Sequence, residues 1–178
     1  MRALRLLAVG AALLALAGCS RKSAEENALY QINEQSGVIT TKQGLQFNSA
    51  EAVGDCMTPE EARRSPGDFS RDRAREIVSC LNQETVRQVT PQLPMMADQY
   101  TRLDRISAAG PETTYHQTLL LRAASIRREN LQAAEAQVRR MVCAQAPMRV
   151  TLEMGGSFVY RWTDQQGTPI HQFSILAC

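Results

Sequence analysis

Two stretches of the chain place apolar residues three and four positions apart, which is the period of an amphipathic helix. The first covers residues 71–89 and is preceded by Ser70, a residue suited to an N-cap. The second covers residues 131–145, with Asn130 as its expected cap. The apolar faces comprise Ala74, Ile77, Val78, Leu81, Thr85 and Val89 in the first helix, and Leu131, Ala134, Val138, Met141, Val142 and Gln145 in the second. The pattern therefore predicts two main helices, each buried on one side.

Four further stretches have the composition and alternation of β-strands. Gly110-Pro111 is a turn signal between the first two, and Gly167 supplies a turn position between the last two. The order of elements, α–β–β–α–β–β, predicts an α+β fold in which an antiparallel sheet of about four strands packs with the two main amphipathic helices. The predicted strands are residues 99–107, 113–122, 157–163 and 170–177.

The part of the chain ahead of residue 71 carries weaker signals. Residues 36–54 have a few apolar positions between glycines, which suits one weak hairpin. Thr58 and Glu61 occupy the positions of a capping box and predict a short helix. We therefore expect a polar tether at residues 19–35, a helical N-terminal extension at 36–92 and an α+β domain at 93–178.

Residues 1–18 have the features of an export signal. Arg2 and Arg5 precede an apolar run of about eleven residues, too short to cross a bilayer core, which needs roughly twenty. Two small residues then precede Cys19, the arrangement of a bacterial lipobox. A plain signal peptide that happens to contain a cysteine is the alternative.

Cys19 is the predicted lipidation site. Its thiol would take a diacylglycerol, the peptide bond before it would be cut, and the new amine would be acylated. Several acyl chains anchor a protein stably, whereas a single one is marginal. Ser20 stands where an aspartate would favour retention in the inner membrane. The sequence therefore predicts a lipoprotein on the periplasmic face of the outer membrane.

Composition excludes some classes of protein. A hydrophobic fraction of 44% argues against a disordered chain. The sequence has 20 basic and 18 acidic residues, and two of the basic ones lie ahead of Cys19. The balance that remains gives no support to nucleic-acid binding.

The cysteines predict disulfide bonds. Four remain after Cys19 is set aside, an even number in an exported chain, and four cysteines allow three pairings. We favour the pairing that links the short N-terminal helix to helix 71–89 and the end of helix 131–145 to the last strand. Those pairs are Cys56–Cys80 and Cys143–Cys178.

Motifs for catalysis, cofactors or metals are not evident in the sequence. His116 and His171 each lie alone in a predicted strand, without metal-ligand spacing. We therefore predict a non-enzymatic protein with no catalytic residue, metal or cofactor. An enzyme whose residues converge only in three dimensions is the alternative.

The aromatic residues of strand 157–163 admit two interpretations. Phe158, Tyr160 and Trp162 alternate along it and so share one face. That face either packs beneath the helices as core or forms part of an apolar groove for a partner helix.

Short motifs follow one another along residues 93–178. They are Leu93-Pro94, Tyr100-Thr101, Arg140-Met141-Val142-Cys143-Ala144, Gly155-Gly156-Ser157-Phe158 and Cys178. Their order resembles that of the type II secretion pilotins of the GspS-beta, or AspS-type, family. Members of that family are small outer-membrane lipoproteins with a strand pair, a helix, a short helical segment, a terminal hairpin and a last cysteine. The resemblance also favours the Cys143–Cys178 bond.

The resemblance implies a function in which the lipid-anchored domain grips the C-terminal helix of a secretin subunit and carries it to the outer membrane. The candidate contacts for such a helix are Val138 and Met141 on the second main helix and Phe158 and Tyr160 on the sheet. One alternative is an inhibitor or immunity lipoprotein that blocks a periplasmic toxin or hydrolase through loop 164–169. Another is a structural accessory of an envelope machine.

Overall fold

The structure is a computed structural model that describes residues 30–33, 38–41, 44–121 and 126–178. The predicted export signal, the predicted lipidation site Cys19 and most of the predicted tether lie outside these residues. None of the helices within the described ranges is long and apolar enough to cross a membrane.

The N-terminal part holds more structure than the single hairpin expected. A strand lies within the predicted tether and pairs with the next strand, so strand structure begins ahead of the expected boundary at residue 36. A helix follows because the Asn48 side chain accepts a hydrogen bond from the Glu51 amide at 3.1 Å and caps it. The elements are the antiparallel strands β1 (Tyr30–Asn33), β2 (Val38–Thr41) and β3 (Gln46–Asn48), followed by helix α1 (Ser49–Cys56).

The first main helix, α2, spans Arg71–Val89 as predicted, and the Ser70 hydroxyl accepts a hydrogen bond from the Arg73 amide at its start. The capping box at Thr58 and Glu61 is also confirmed, since each side chain accepts a hydrogen bond from the other residue's amide. The helix that this box begins is a single 3₁₀ turn. The three 3₁₀ turns among the described residues are Glu61–Arg63, Pro66–Asp68 and Thr90–Gln92.

The main sheet has five strands, which follow one another in sequence order. All neighbouring pairs are antiparallel except β6 and β7, which run parallel. Two helices separate β6 from β7 in the chain. This crossover returns the chain to the end of the sheet at which β6 begins, so the two strands run parallel. The α+β class is confirmed, with one more strand than expected and one parallel pair. The elements are β4 (Met95–Met96), β5 (Thr101–Ala109), β6 (Glu112–Leu119), α3 (Arg128–Ala144), α4 (Ala146–Glu153), β7 (Ser157–Thr163) and β8 (Pro169–Ile175).

Helix α3 begins three residues earlier than expected. Arg127 holds the N-cap position without a side-chain hydrogen bond, so the prediction of Asn130 as the cap is wrong. The apolar positions set this helix against the sheet, but they do not fix where it starts. The added turn at its N-terminus is exposed, so it carries no apolar signal.

The core has two clusters. One lies between the sheet and the helices α3 and α4, and the other between α2 and Met154, the residue that follows α4. The buried members of the first are Val142, Leu152, Phe158, Tyr160, Trp162, Phe173 and Ile175, and those of the second are Ala74, Ile77, Val78 and Met154.

Both predicted disulfide bonds are present. The sulfur atoms of Cys56 and Cys80 lie 2.08 Å apart, and those of Cys143 and Cys178 lie 2.17 Å apart. The first bond joins α1 to α2, and the second joins α3 to the residue that ends the chain beyond β8.

Candidate partner-binding site

The aromatic residues of β7 lie in the core beneath α3. Phe158, Tyr160 and Trp162 are 4%, 6% and 4% exposed. The ring of Tyr160 stacks between those of Tyr115 and Phe173, with centroids 5.0 and 5.1 Å away. Burial raises the pKa of Tyr115 to about 12. A partner would reach these rings only if α3 moved, so their predicted role in binding stays a prediction.

Val138 and Met141, the two helical candidates, are more accessible. Val138 is half-buried against the aromatic cluster, and Met141 is half-buried on the same helix. The structure therefore does not bring the four candidate residues into one exposed groove. Helix α3 instead places its apolar side over Phe158 and Tyr160.

Polar contacts also hold α3 to strand β8. The Glu135 carboxylate lies 2.8 Å from His171 Nε2 and 2.8 Å from Arg139 Nη2. The Arg139 guanidinium carbon lies 5.6 Å from the centre of the Phe173 ring. Burial acts to raise the pKa of Glu135, but the hydrogen bonds from His171 and Arg139 outweigh it and leave that pKa below its ordinary 4.5. The contact is therefore strongest when the carboxylate is ionised.

The opposite face of the sheet carries a row of polar side chains across four strands. Arg105 on β5 pairs with His116 on β6, which pairs with Arg161 on β7, which pairs with Gln172 on β8. Paired residues share one face, and Arg161 alternates with the buried Tyr160 and Trp162, so this row lies on the side away from the aromatic core. Arg105, Arg161 and Gln172 are exposed.

His116 at the centre of this row is a neutral imidazole near pH 7. Arg105 Nη2 lies 3.0 Å from its Nε2 and 3.3 Å from its Nδ1, and Ser107 Oγ lies 3.3 Å from Nε2. A guanidinium only donates, so the ring nitrogen that receives it carries no proton. Burial, together with the charges of Arg105 and Arg161, lowers the pKa of His116, while Asp104 acts weakly the other way. Both burial and the neighbouring positive charges therefore favour the unprotonated ring.

A network beside the row neutralises a third arginine. Asp104 occupies an irregularity in the β5–β6 pairing and lies 2.5 Å from Arg102 Nε. The Thr118 hydroxyl donates to the other oxygen of Asp104 at 2.6 Å. Arg102 thus has an acidic partner, whereas no ion pair joins Arg105 or Arg161 to any acid in the described part of the chain.

A groove of about 490 Å³ opens next to Arg161 and His116. Its lining combines polar side chains with two apolar residues at the start of β8, Pro169 and Ile170. Its remaining lining residues are Asp104, Gln117, Trp162, Thr163, His171 and Gln172.

Sequence reasoning missed this face. Arg105 and Arg161 look like ordinary exposed positions of their strands, and only the register places them on either side of His116. The alternation of Arg161 with Tyr160 and Trp162 was the available signal, and it marks a solvent face without saying which residues meet.

The two histidines lie on opposite faces of the sheet, because His171 pairs with Trp162 and His116 with Arg161. Within the described ranges, no three side chains of His, Cys, Asp or Glu gather closely enough to hold a metal ion.

Comparison of the sequence gives no match to a known family profile. It also finds no curated protein with significant similarity.

Comparison of the structure finds three similar solved structures. A secreted protein from Pseudomonas aeruginosa is 16% identical, with a TM-score of 0.50 over 57% of this chain and 91% of its own. The pilotin EpsS of the Vibrio vulnificus type 2 secretion system is 15% identical, with a TM-score of 0.53 over 60% of this chain and 94% of its own. The type II secretion pilotin AspS from Vibrio cholerae is 13% identical, with a TM-score of 0.50 over 60% of this chain and 95% of its own. The expected resemblance is thus confirmed at the level of structure: this chain has the fold of the type II secretion pilotins.

Proposed function

We propose that this protein is a lipid-anchored, non-enzymatic adaptor of the pilotin type, which binds a secretin subunit and brings it to the outer membrane. The observation that carries the proposal is the shared fold, which takes in 94% and 95% of the two Vibrio pilotins. The lipobox at Cys19 supports it independently, because an adaptor that delivers a subunit to a membrane needs an anchor in that membrane.

The partner in this proposal is a short amphipathic helix of the secretin. Burial of its apolar side contributes about 25 cal/mol per Å² of apolar area. Val138 and Met141 are the candidate contacts that such a helix reaches without unpacking the sheet, since both are half-buried. Phe158 and Tyr160 would join the interface after a displacement of α3.

The direct test is the location of the secretin in a strain that lacks this protein. We expect secretin multimers in the outer membrane with the wild-type protein, and secretin held at the inner membrane in the deletion strain. Cys19→Ser, which removes the lipidation site, should fail to restore the outer-membrane location. Normal secretin assembly in the deletion strain, with a soluble toxin recovered by crosslinking, would instead support the inhibitor alternative.

The anchor and the binding surface are tested separately. Labelling with a palmitate analogue should mark the wild type and not Cys19→Ser, and equal labelling would contradict lipidation. Val138→Asp and Met141→Asp should weaken crosslinking to the secretin, while the exposed Arg140→Asp on the same helix serves as control. Equal loss in all three variants would indicate a disturbed helix rather than a contact.

A further inference from the structure

The row on the open face of the sheet concentrates positive charge. Arg105 and Arg161 flank His116 at directly paired positions, and both guanidinium groups are exposed. The charges of both arginines act on the His116 ring between them, as the lowered pKa of that ring shows. The nearby Arg102 is neutralised by Asp104. Arg105 and Arg161 have no acidic partner among the described residues, so an anion placed beside His116 would meet two uncompensated positive charges.

We propose that Arg105, His116 and Arg161 form a binding site for a carboxylate carried by an acidic segment of the protein partner. The choice of a protein as the ligand rests on the proposed function. The positive charge of the site specifies that the segment which the partner presents is negatively charged. A carboxylate suits the row because a guanidinium donates two parallel hydrogen bonds to it. His116 adds a third donor when it takes up a proton.

The surroundings favour a peptide over a membrane surface. Lipid-binding segments usually cluster about four to eight basic residues. This face has two arginines without an acidic partner, beside an Arg102–Asp104 pair that carries no net charge. The groove of about 490 Å³ is lined by His116 and Arg161 together with the apolar Pro169 and Ile170, so it has room for an uncharged side chain next to the carboxylate.

The site also predicts how affinity depends on pH. The groups that face His116 are Arg105, Asp104 and Ser107 from β5 and Arg161 from β7. A bound carboxylate adds a negative charge near the ring, so it raises the pKa of His116. By linkage, affinity should rise as the pH falls through that pKa, until the carboxylates of the ligand themselves become protonated.

The test uses the complete lipidated protein in detergent micelles and a fluorescent ten-residue peptide in which glutamate alternates with leucine. The matched peptide has glutamine in place of every glutamate. We expect the glutamate peptide to bind and the glutamine peptide to bind at least about tenfold more weakly, because charge-assisted hydrogen bonds are lost. Equal affinity for the two peptides would overturn the proposal, and this comparison needs no altered protein.

Variants then locate the site. Arg105→Glu and Arg161→Glu should each lower the affinity for the glutamate peptide at least about tenfold. Arg64→Glu makes the same change of charge at an exposed position outside the sheet and should leave the affinity within about twofold. If all three variants lose affinity equally, binding is a response to net charge and the proposal fails.

Two further outcomes are decisive. In NMR titrations the ring protons of His116 should report a higher pKa with the glutamate peptide bound, and an unchanged pKa would contradict the assigned site. Stronger binding to vesicles of phosphatidylglycerol and phosphatidylethanolamine than to the peptide, with the same dependence on Arg105 and Arg161, would assign the face to lipid instead. None of these measurements involves a secretin. The carboxylate site can therefore be disproved while the location of the secretin still depends on this protein, and the pilotin role can be disproved while the peptide still binds.

Discussion

Gly156 joins α4 to β7 at a point where the backbone leaves no room for a side chain. A Cβ atom there would lie 2.6 Å from Thr151 Cγ2, 2.8 Å from the Thr151 carbonyl oxygen and 2.9 Å from Val78 Cγ1. The carbonyl belongs to the end of α4 and accepts a hydrogen bond from the Gly156 amide, so it cannot easily withdraw. At the residue scale, this position couples the main sheet to α2 through direct contact.

Gly156→Ala should therefore lower the free energy of unfolding by about 1–3 kcal/mol, the usual cost of overpacking. Gly54→Ala is the matched control, since a Cβ at Gly54 meets nothing within 4 Å and the residue lies in helix α1. That control should raise stability by about 0.5–1 kcal/mol. Urea unfolding of both variants measures the difference. An unchanged free energy of unfolding in Gly156→Ala would mean that α4 and α2 can move apart without cost.

At the scale of elements, α3 is attached mainly through a few contacts. Val142 is its single fully buried residue in the described part of the chain. Leu131, Ala134 and Val138 are half-buried against the aromatic cluster. The Glu135–His171 contact and the Cys143–Cys178 bond add connections to β8 and the chain end. Both can be weakened without touching the sheet.

The contact between Glu135 of α3 and His171 of β8 should weaken in acid. The pKa of Glu135 is lowered in the folded protein, so its contribution to stability is present above the ordinary value of 4.5 and is lost as the pH falls through the folded value. Glu135→Gln should reduce the loss of stability between pH 5 and 3 compared with the wild type. The measurement is unfolding free energy against pH, with the exposed Glu129→Gln as control. An unchanged acid slope in Glu135→Gln would show that other carboxylates account for it.

The Cys143–Cys178 bond should contribute more to stability than the Cys56–Cys80 bond. Chain entropy assigns about 3–4 kcal/mol to each bond, since the linked residues are 24 and 35 positions apart. Cys143→Ser should nevertheless cost more than Cys56→Ser, because it frees the chain end that follows β8 of the main sheet. The start of α1 stays joined to α2 through the hydrogen bonds between Asn48 and Gln88 when the other bond is lost. Urea unfolding without reductant measures both.

Partner variants test this assignment of the bonds. Cys178→Ser should lower the free energy of unfolding by the same amount as Cys143→Ser, since both variants remove the same bond. For the same reason, Cys80→Ser should have the same effect as Cys56→Ser. A Cys80–Cys143 peptide in non-reducing mapping would contradict the pairing.

Some of these elements could be predicted from the sequence and others could not. Helix 71–89 and strand 157–163 were predicted with their observed ends, because the apolar period, Ser70 and Gly156 all act locally. The parallel pairing of β6 with β7 could not be predicted from periodicity, since it depends on how a crossover of two helices packs. The register that sets Arg105 beside His116 shifts at Asp104. The sequence indicates this shift only through Leu103 and Ile106, whose spacing of three residues breaks the period of two. Helix α1 was missed because its eight residues carry only two buried positions, Ala52 and Cys56.

At the scale of the whole molecule, the N-terminal extension is packed into the rest of the fold. Ile77 and Val78 of α2 are 0% and 1% exposed and share a cluster with Met154. The Asn82 side chain donates a hydrogen bond to the Gly110 carbonyl between β5 and β6. Residues 93–178 are less than half of the chain, yet the pilotin structures match 60% of it, so the shared fold reaches into the extension. We infer that the two parts unfold together.

Ile77→Ala tests this coupling, because the only tryptophan of the chain, Trp162, lies in β7 and reports on the sheet. Removal of the buried side chain should cost about 2–5 kcal/mol. Tryptophan fluorescence and helical ellipticity should then shift to lower urea by the same amount, since one cooperative transition links them. The exposed Gln83→Ala on the same helix is the control and should move neither probe. If ellipticity shifts while the Trp162 transition stays in place, the extension is a separate unit, and residues 93–178 stand as a domain that folds without α2.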